Sequence, residues 1–292
     1  MLQSYYKSPN RDFTLLQGDC VELLNQFDFK FDMIFADPPY FLSNGGISVQ
    51  SGKQVSVNKG DWDKSQGFEK DNEFNRKWLS ACREHLNESG TIWISGTYHN
   101  IFSVAQMLNE LDFRILNCIT WAKTNPPPNL SCRFFTHSTE FILWARKSKK
   151  IPHYFNYELM KEINGGTQMR DLWSLPAIAK WEKSCGKHPT QKPLPLLARI
   201  ILASTKENDW ILDPFAGSST TGIAASILNR CFLGIDRKSD FLDLSKARRQ
   251  EIENISIREN YRQRIAKYSD KPIQKILEFC ETESHFGADL PF

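Results

Sequence analysis

Short apolar runs alternate with amphipathic stretches along most of the chain, the rhythm of strands feeding helices. Phe13-Thr14-Leu15-Leu16 reads as a strand closed by Gln17-Gly18-Asp19-Cys20. Val21, Leu23, Leu24 and Phe27 then recur at helical spacing. Phe31 to Ala36 is a compact apolar run that stops at Asp37-Pro38-Pro39, because two prolines cannot continue a parallel ladder. Residues 42–67 are polar and nearly aperiodic, and a loop of this length in a compact domain is functional or mobile. A helix is predicted over 68–85, a buried strand over 90–96 and a helix over 101–111.

Residues 113–122 and 139–145 are strand-like, separated by a proline-rich loop that runs from Asn125 to Arg133. Residues 151–187 are aromatic and irregular and read as an insertion or subdomain. Regular rhythm returns with a helix over 194–205, a strand over 210–213, a loop over 214–219 and a helix over 220–228. A strand over 231–236 and a helix over 241–254 follow. Strands alternating with helices predict an α/β fold with a doubly wound, mostly parallel sheet. In the tail over 256–292, Ile257 to Cys280 alternate basic and apolar residues. They suit a docked amphipathic helix, a DNA contact or a dimer element, with nothing in the residues to choose among them.

Composition narrows this picture only a little. The chain has 292 residues, room for one large α/β domain with an insertion. Its net charge of +3 permits nucleic-acid binding without arguing for it, so a basic surface must come from local clustering. No apolar run approaches the ~18 residues of a membrane span, and Met1 to Tyr6 lack the pattern of a secretory leader. Seven scattered cysteines without a CxxC pair read as reduced thiols of a cytoplasmic protein. Cys185 and His188 form a lone CxxH, which without a second pair is no zinc site, so no metal is expected.

Two constellations carry chemistry. Asp213-Pro214-Phe215-Ala216-Gly217-Ser218-Ser219-Thr220 follows a strand and opens a helix. Its small residues let a ligand approach the backbone at the carboxyl edge of the sheet. Asp236 ends the next strand about 20 residues on, placed for ribose hydroxyls. The absence of a second glycine after Gly217 disfavours a pyrophosphate cradle and hence a nicotinamide dehydrogenase. An ordinary βα turn is the plainer alternative for this motif taken alone.

Asp37-Pro38-Pro39-Tyr40 is the second. An exocyclic adenine amine is a poor nucleophile because its lone pair is delocalised into the ring. The Asp37 carboxylate and the carbonyl near Pro38 can accept its two N–H groups and localise that pair. Rigid prolines hold the acceptors, and Tyr40 offers an aromatic face to an extruded base.

Asp37-Pro38-Pro39-Tyr40 followed far downstream by Asp213-Pro214-Phe215-Ala216-Gly217 resembles the DNA amino-methyltransferase family in its permuted, beta-class order, an S-adenosylmethionine-dependent Rossmann-like fold. Residues 41–63 (FLSNGGISVQSGKQVSVNKGDWD) resemble the second, single-strand-competent GATC adenine methylases of DpnII-type systems. Trp93 to Phe102 and His188-Pro189-Thr190-Gln191-Lys192-Pro193 also resemble the cell-cycle-regulated GANTC adenine methylases. The likeness covers residues 13–255.

It implies adenine-N6 methylation of DNA, double-stranded and in some members also single-stranded, with GATC as the target and GANTC as the alternative. A cognate restriction endonuclease and a homodimer are partners of the kind such enzymes have. Residue by residue, it implies that Asp19 and Cys20 contact the cofactor adenine and that Asp37 lies near the methionine amine. It further implies that His188, Thr190 and Lys192 hold the methionine carboxylate. Asp213, Phe215, Gly217 and Ser218 would then line the methionine end, and Asp236 the ribose. Asp19 alone would equally serve as a helix cap. Ser219 departs from the glycine that many members carry, and crowds the turn.

DNA contacts are sought at Lys53 and Lys59 in the long loop, at Asn129, Ser131 and Arg133, and at Gln168 and Arg170 in the insertion. Arg, Asn and Gln suit base edges, and lysine suits phosphate. The expected architecture is a catalytic domain over 1–255, with target recognition at about 150–187 and an extension over 256–292. An RNA or protein-glutamine methyltransferase remains a competitor, although enzymes acting on glutamine carry Asn where this chain has Asp37.

Overall fold

A computed structural model describes residues 2–43, 47–50, 53–56, 60, 63–267 and 290. Nine strands form one sheet in the order β1-β2-β11-β10-β3-β6-β8-β7-β9. The strands are β1 (Tyr6–Lys7), β2 (Phe13–Gln17), β3 (Phe31–Ala36), β6 (Leu86–Gly96), β7 (Arg114–Lys123), β8 (Thr139–Arg146), β9 (Leu172–Leu175), β10 (Trp210–Asp213) and β11 (Cys231–Asp236). Strands β2, β11, β10, β3 and β6 run parallel, while β8 is antiparallel to both its neighbours. The predicted mostly parallel α/β sheet is therefore present.

Period-two alternation decides what each strand faces. Met33 and Phe35 enter one core with Trp93, Ile211 and Phe232. Ile34 and Ala36 enter the other with Ile92, Ile94 and Leu212. Helices α4 (Tyr157–Ile163), α5 (Leu194–Ser204), α6 (Thr220–Ile227), α7 (Ser239–Glu251) and α8 (Ile255–Ala266) cover the first face. Helices α1 (Cys20–Leu24), α2 (Phe68–Glu84) and α3 (Ile101–Glu110) cover the second. Strand β10 leads through α6 to β11 on one side, and β3 leads through α2 to β6 on the other. The sheet reverses its winding between β10 and β3, where a crevice opens at the carboxyl ends.

Three segments gain definition beyond the sequence reading. The long loop contains a hairpin, β4 (Ile47–Gln50) paired with β5 (Lys53–Ser56) and with no strand of the main sheet. Its alternation spans only four residues per strand, too short to stand out among polar neighbours. The irregular 151–187 segment supplies α4 and edge strand β9, which buries Trp173 and Leu175 against β7. Beyond residue 255, α8 docks on α5 and α6 through Tyr261 and Ile265. No helix among the described residues is long and apolar enough to cross a membrane.

Candidate active site

The parallel order sets four carboxylates in a row. Asp19 follows β2, Asp236 ends β11, Asp213 ends β10 and Asp37 follows β3, and these four strands are consecutive neighbours. All four line a cavity of about 580 Å³ at the crevice. Every residue expected to bind a cofactor borders it: Asp19, Cys20, Asp37, His188, Thr190, Lys192, Asp213, Phe215, Gly217, Ser218 and Asp236. Of the catalytic tetrad, Asp37 and Pro39 line it directly.

Each acid has a distinct environment. Asp19 caps α1, accepting from the backbone N–H of Val21 (2.9 Å) and Glu22 (3.1 Å), and pairs with Arg237. The cap and the cavity wall are thus one residue. Burial works to raise its carboxyl, but Arg237 and the two N–H groups outweigh it and the net shift is downward. Cys20 beside it is buried, and burial foremost, with the Asp19 charge, pushes its thiol up to about 12, so it is a neutral packing group.

Asp213 is almost wholly enclosed. Burial raises its carboxyl to about 7, against the hydrogen bonds donated by Thr221 Oγ1 (2.6 Å) and the Phe215 N–H (3.1 Å). Asp236 is raised by burial too, and accepts from the N–H of Gly217 (2.9 Å) and Lys238 (2.8 Å).

The turn after β10 depends on its backbone. Gly217 has φ +51°, and a Cβ there would lie 3.0 Å from the His188 ring. Ser219 is also left-handed, at φ 52°, with its hydroxyl buried and without a hydrogen-bond partner. The loop is braced from α7. Ser245 donates to the Gly217 carbonyl (2.8 Å), and the buried Arg248 donates to the Ser218 carbonyl (2.5 Å) and Oγ (3.2 Å). The Ser218 side chain thus points at Arg248. Phe215 stacks edge-on against Trp78 and contacts Phe74, which joins the cavity to α2.

The catalytic tetrad is tightly held. Asp37 Oδ1 accepts from the Tyr40 hydroxyl (2.6 Å), and Tyr40 shares a further hydrogen bond with Ser95 Oγ (2.8 Å). Asp37 Oδ2 accepts from Lys192 Nζ (2.6 Å). Glu140 lies 3.9 Å from Lys192 on one side and 2.5 Å from Lys123 on the other. Burial alone would lower the Lys192 ammonium, but Asp37 and Glu140 outweigh it and raise it.

Lys192 therefore faces the Asp37 carboxylate, where the resemblance placed it on a cofactor carboxylate. Tyr40 is likewise not an open platform, being 7% exposed. Its hydroxyl is tethered between Asp37 and Ser95, which draws the ring inward, and burial foremost raises that hydroxyl far above its ordinary value.

Phe41, directly after the tetrad, has φ 59°, a conformation that bulky residues avoid. Asp63 enforces it, accepting from the N–H of Tyr40 (2.9 Å) and Phe41 (2.9 Å) and from Ser43 Oγ (2.8 Å). Asp63, Ser95, Glu140, Ser245 and Arg248 were missed by sequence reasoning. The available signal was a buried-face arginine on α7, and for Asp63 nothing but its place within a polar run.

The expected DNA contacts scatter. Lys53 lies in β5, and Lys59 falls outside the described residues. Asn129, Ser131 and Arg133 sit on the β7–β8 loop, at the catalytic edge. Asn129 is occupied by that loop: its Oδ1 accepts from Ser131 Oγ (2.9 Å) and its Nδ2 donates to the Phe134 carbonyl (2.5 Å). Gln168 and Arg170 are exposed ahead of β9, four strands or roughly 20 Å of sheet from β3.

Comparison with known proteins matches this geometry to a family. The DNA methylase family (N6_N4_Mtase) matches residues 31–247. The chain is 54% identical over 267 residues to the type II methyltransferase M2.MboI of Moraxella bovis, spanning 91% of this chain and 97% of that one. It is 57% identical over 256 residues to M2.DpnII of Streptococcus pneumoniae, spanning 87% and 94%. Among solved structures, the M1.HpyAVI–SAM complex aligns with TM-score 0.62 at 30% identity over 81% of this chain and 98% of that one. The cytosine-N4-specific PvuII DNA methyltransferase shares the fold, with TM-score 0.69 at 17% identity over 95% and 96%. A crevice rimmed by four aspartates, and a family match that runs from β3 into α7, make this chain a member of the DNA methylase family.

Proposed function

We propose that this chain is a site-specific adenine-N6 DNA methyltransferase that uses S-adenosylmethionine and acts at GATC. The observation that carries the reading is the opening of the Asp37 loop and the Asp213–Gly217 turn onto one cavity.

The cavity fits the cofactor. Its volume is that of a small-molecule site, Asp213 and Asp236 within its mixed-charge lining suit a ligand with a sulfonium and an ammonium, and Gly217 keeps the turn open. Asp19 and Cys20 would hold the adenine end and Asp236 the ribose. Asp213, Phe215, Gly217, Ser218, His188 and Thr190 would hold the methionine end. When bound, S-adenosylmethionine supplies a methyl group made electrophilic by its sulfonium.

The chain's own contribution is to the target amine. Asp37 and the Pro38 carbonyl accept the two N–H groups and localise the nitrogen lone pair. Each Asp37 oxygen has two acceptor positions, so an amine N–H shares an oxygen that already holds Tyr40 or Lys192. Tyr40 and Lys192 fix the carboxylate's orientation, and Asp37 is the first acceptor for the proton released on transfer.

The GATC assignment rests on the resemblance of residues 41–63 to GATC methylases, together with type II relatives of high identity. In this reading the β4–β5 hairpin, the β7–β8 loop and residues 151–187 read the sequence. The chain serves as the modification arm beside a restriction endonuclease, working on nucleoid DNA in the cytoplasm. The test is to treat unmethylated plasmid with purified chain and cofactor, then map modified bases by long-read sequencing. N6-methyladenine at GATC is expected. Adenine methylation at GANTC alone would move the target. N4-methylcytosine, or transfer only to RNA or protein, would overturn the proposal.

A further inference from the structure

The carboxyl end of β6 and the loop entering β8 carry a group of aromatic rings that the chemistry above does not use. Tyr98 stacks on His137 (5.1 Å between centroids) and lies 3.8 Å from His99, while Phe134 lies 5.3 Å from His137. Tyr98 is 46% exposed, Phe134 57% and Phe135 97%. A phenylalanine almost wholly in water contributes nothing to this fold, and a cluster of such rings marks a binding surface.

Its position says for what. Ser95, three residues before Tyr98, holds the Tyr40 hydroxyl, and Glu140, three residues after His137, faces Lys192. The rings therefore stand on the sheet edge that carries Asp37. Local contacts shape the loop: Asn129 accepts from Ser131 and donates to the Phe134 carbonyl, and Cys132 turns the chain at φ 52°. Tyr98, His137 and Phe134, already in contact with one another, lose little freedom when a flat partner stacks on them. The exposed Arg133 adds a cation beside them, which favours a polyanion.

We propose that Tyr98 and the 129–137 loop form a nucleobase-stacking surface, in which Phe135 enters the base stack next to the extruded adenine. The inference rests on the reading of the chain as a DNA methyltransferase. Extruding a base leaves neighbours without a stacking partner, and an aromatic ring replaces it without regard to sequence.

The test is binding, read by fluorescence anisotropy on a GATC duplex with no methyl transfer needed. The variants are Phe135→Ala, Phe135→Leu and Phe135→Trp. The side chain is almost fully exposed, so folding is unaffected, and unchanged cofactor affinity serves as the control. Phe135→Ala and Phe135→Leu are expected to bind about tenfold more weakly. Phe135→Trp is expected to stay within about threefold of the parent, with the salt dependence unchanged in all three. Binding by Phe135→Leu equal to that by Phe135→Trp would show that apolar bulk and not stacking is used, and would overturn the inference. So would parent-like binding by all three. The expected pattern in a chain that transfers no methyl to adenine would overturn the proposed function and leave this inference standing.

Discussion

Asp37 and Lys192, 155 positions apart, meet in a 2.6 Å ion pair whose side chains are only 14% and 8% exposed. Removing either partner has two separable effects. Asp37→Ala takes away the acceptor for the target amine, and methyl transfer should fall about a thousandfold or more, while calorimetry still detects cofactor binding. Unchanged turnover would refute the role given to Asp37. Lys192→Met strands a buried carboxylate and should destabilise the fold by about 3–5 kcal/mol in chemical denaturation.

Tyr40→Phe keeps the ring and deletes the hydroxyl that joins Asp37 to Ser95. Single-turnover transfer should slow about tenfold, with little change in affinity for DNA. An equal loss of DNA affinity would instead assign the hydroxyl to substrate contact.

The left-handed Phe41 depends on the Asp63 clasp. Backbone strain of this kind amounts to roughly 1–3 kcal/mol and persists only where neighbours enforce it. Asp63→Ala should let the loop relax, cutting transfer by about a hundredfold, far more than it weakens cofactor binding. Phe41→Gly in the same background should recover part of the loss; no recovery would mean that Asp63 acts through something other than backbone geometry.

Gly217 and Ser219 share a left-handed backbone with opposite consequences. Gly217→Ala drives a Cβ against His188 and should weaken cofactor binding at least tenfold by calorimetry. Ser219→Gly relieves both the backbone and an unpartnered buried hydroxyl, and should stabilise the fold by about 1 kcal/mol. A destabilised Ser219→Gly would show that the hydroxyl has a compensating role.

Asp213 makes a pH prediction. Its folded value of about 7 lies above the ordinary 3.8, so the folded state holds its proton more tightly than the unfolded state does. This group therefore lowers stability as pH rises between those two values, by a few kcal/mol, with no further loss above the upper one. Burial raises Asp209 and Asp236 in the same sense, so the informative quantity is the difference from Asp213→Asn, whose denaturation midpoint should fall less over that range. Affinity for the positively charged cofactor should climb with pH in the parent and climb less in the variant, where Asp236 still titrates in the same sense. Parallel profiles in the two proteins would remove Asp213 from this account.

The sequence exposed the sheet and its acids for a common reason. Buried parallel strands are apolar runs, and a run that ends in Asp-Pro or Gly-Asp announces the carboxyl edge. Asp19, Asp37 and Asp213 were readable that way, and Asp236 by its place at the end of the next apolar run. The clasp and the braces were not: Asp63, Ser95 and Glu140 act across 23, 55 and 52 positions of intervening chain, and nothing local distinguishes them from solvated residues. The hairpin β4–β5 and edge strand β9 are four-residue elements, too short for their alternation to stand out, and β9 owes its pairing to the distant β7. The inward tether of the Tyr40 hydroxyl was hidden for the same reason, since Ser95 lies 55 positions away.

Strands β11 and β10 lie between β2 and β3, so the first two parallel strands of the chain do not touch each other. On the ribosome, an emerging chain leaves one edge of each unpaired until residues 210–236 have been made. The early product has neither a continuous sheet nor a closed crevice, and it shows apolar edges to the cell in the meantime. A chain that ends before β10 has neither Asp213 nor Asp236, and so lacks half of the carboxylates that rim the crevice.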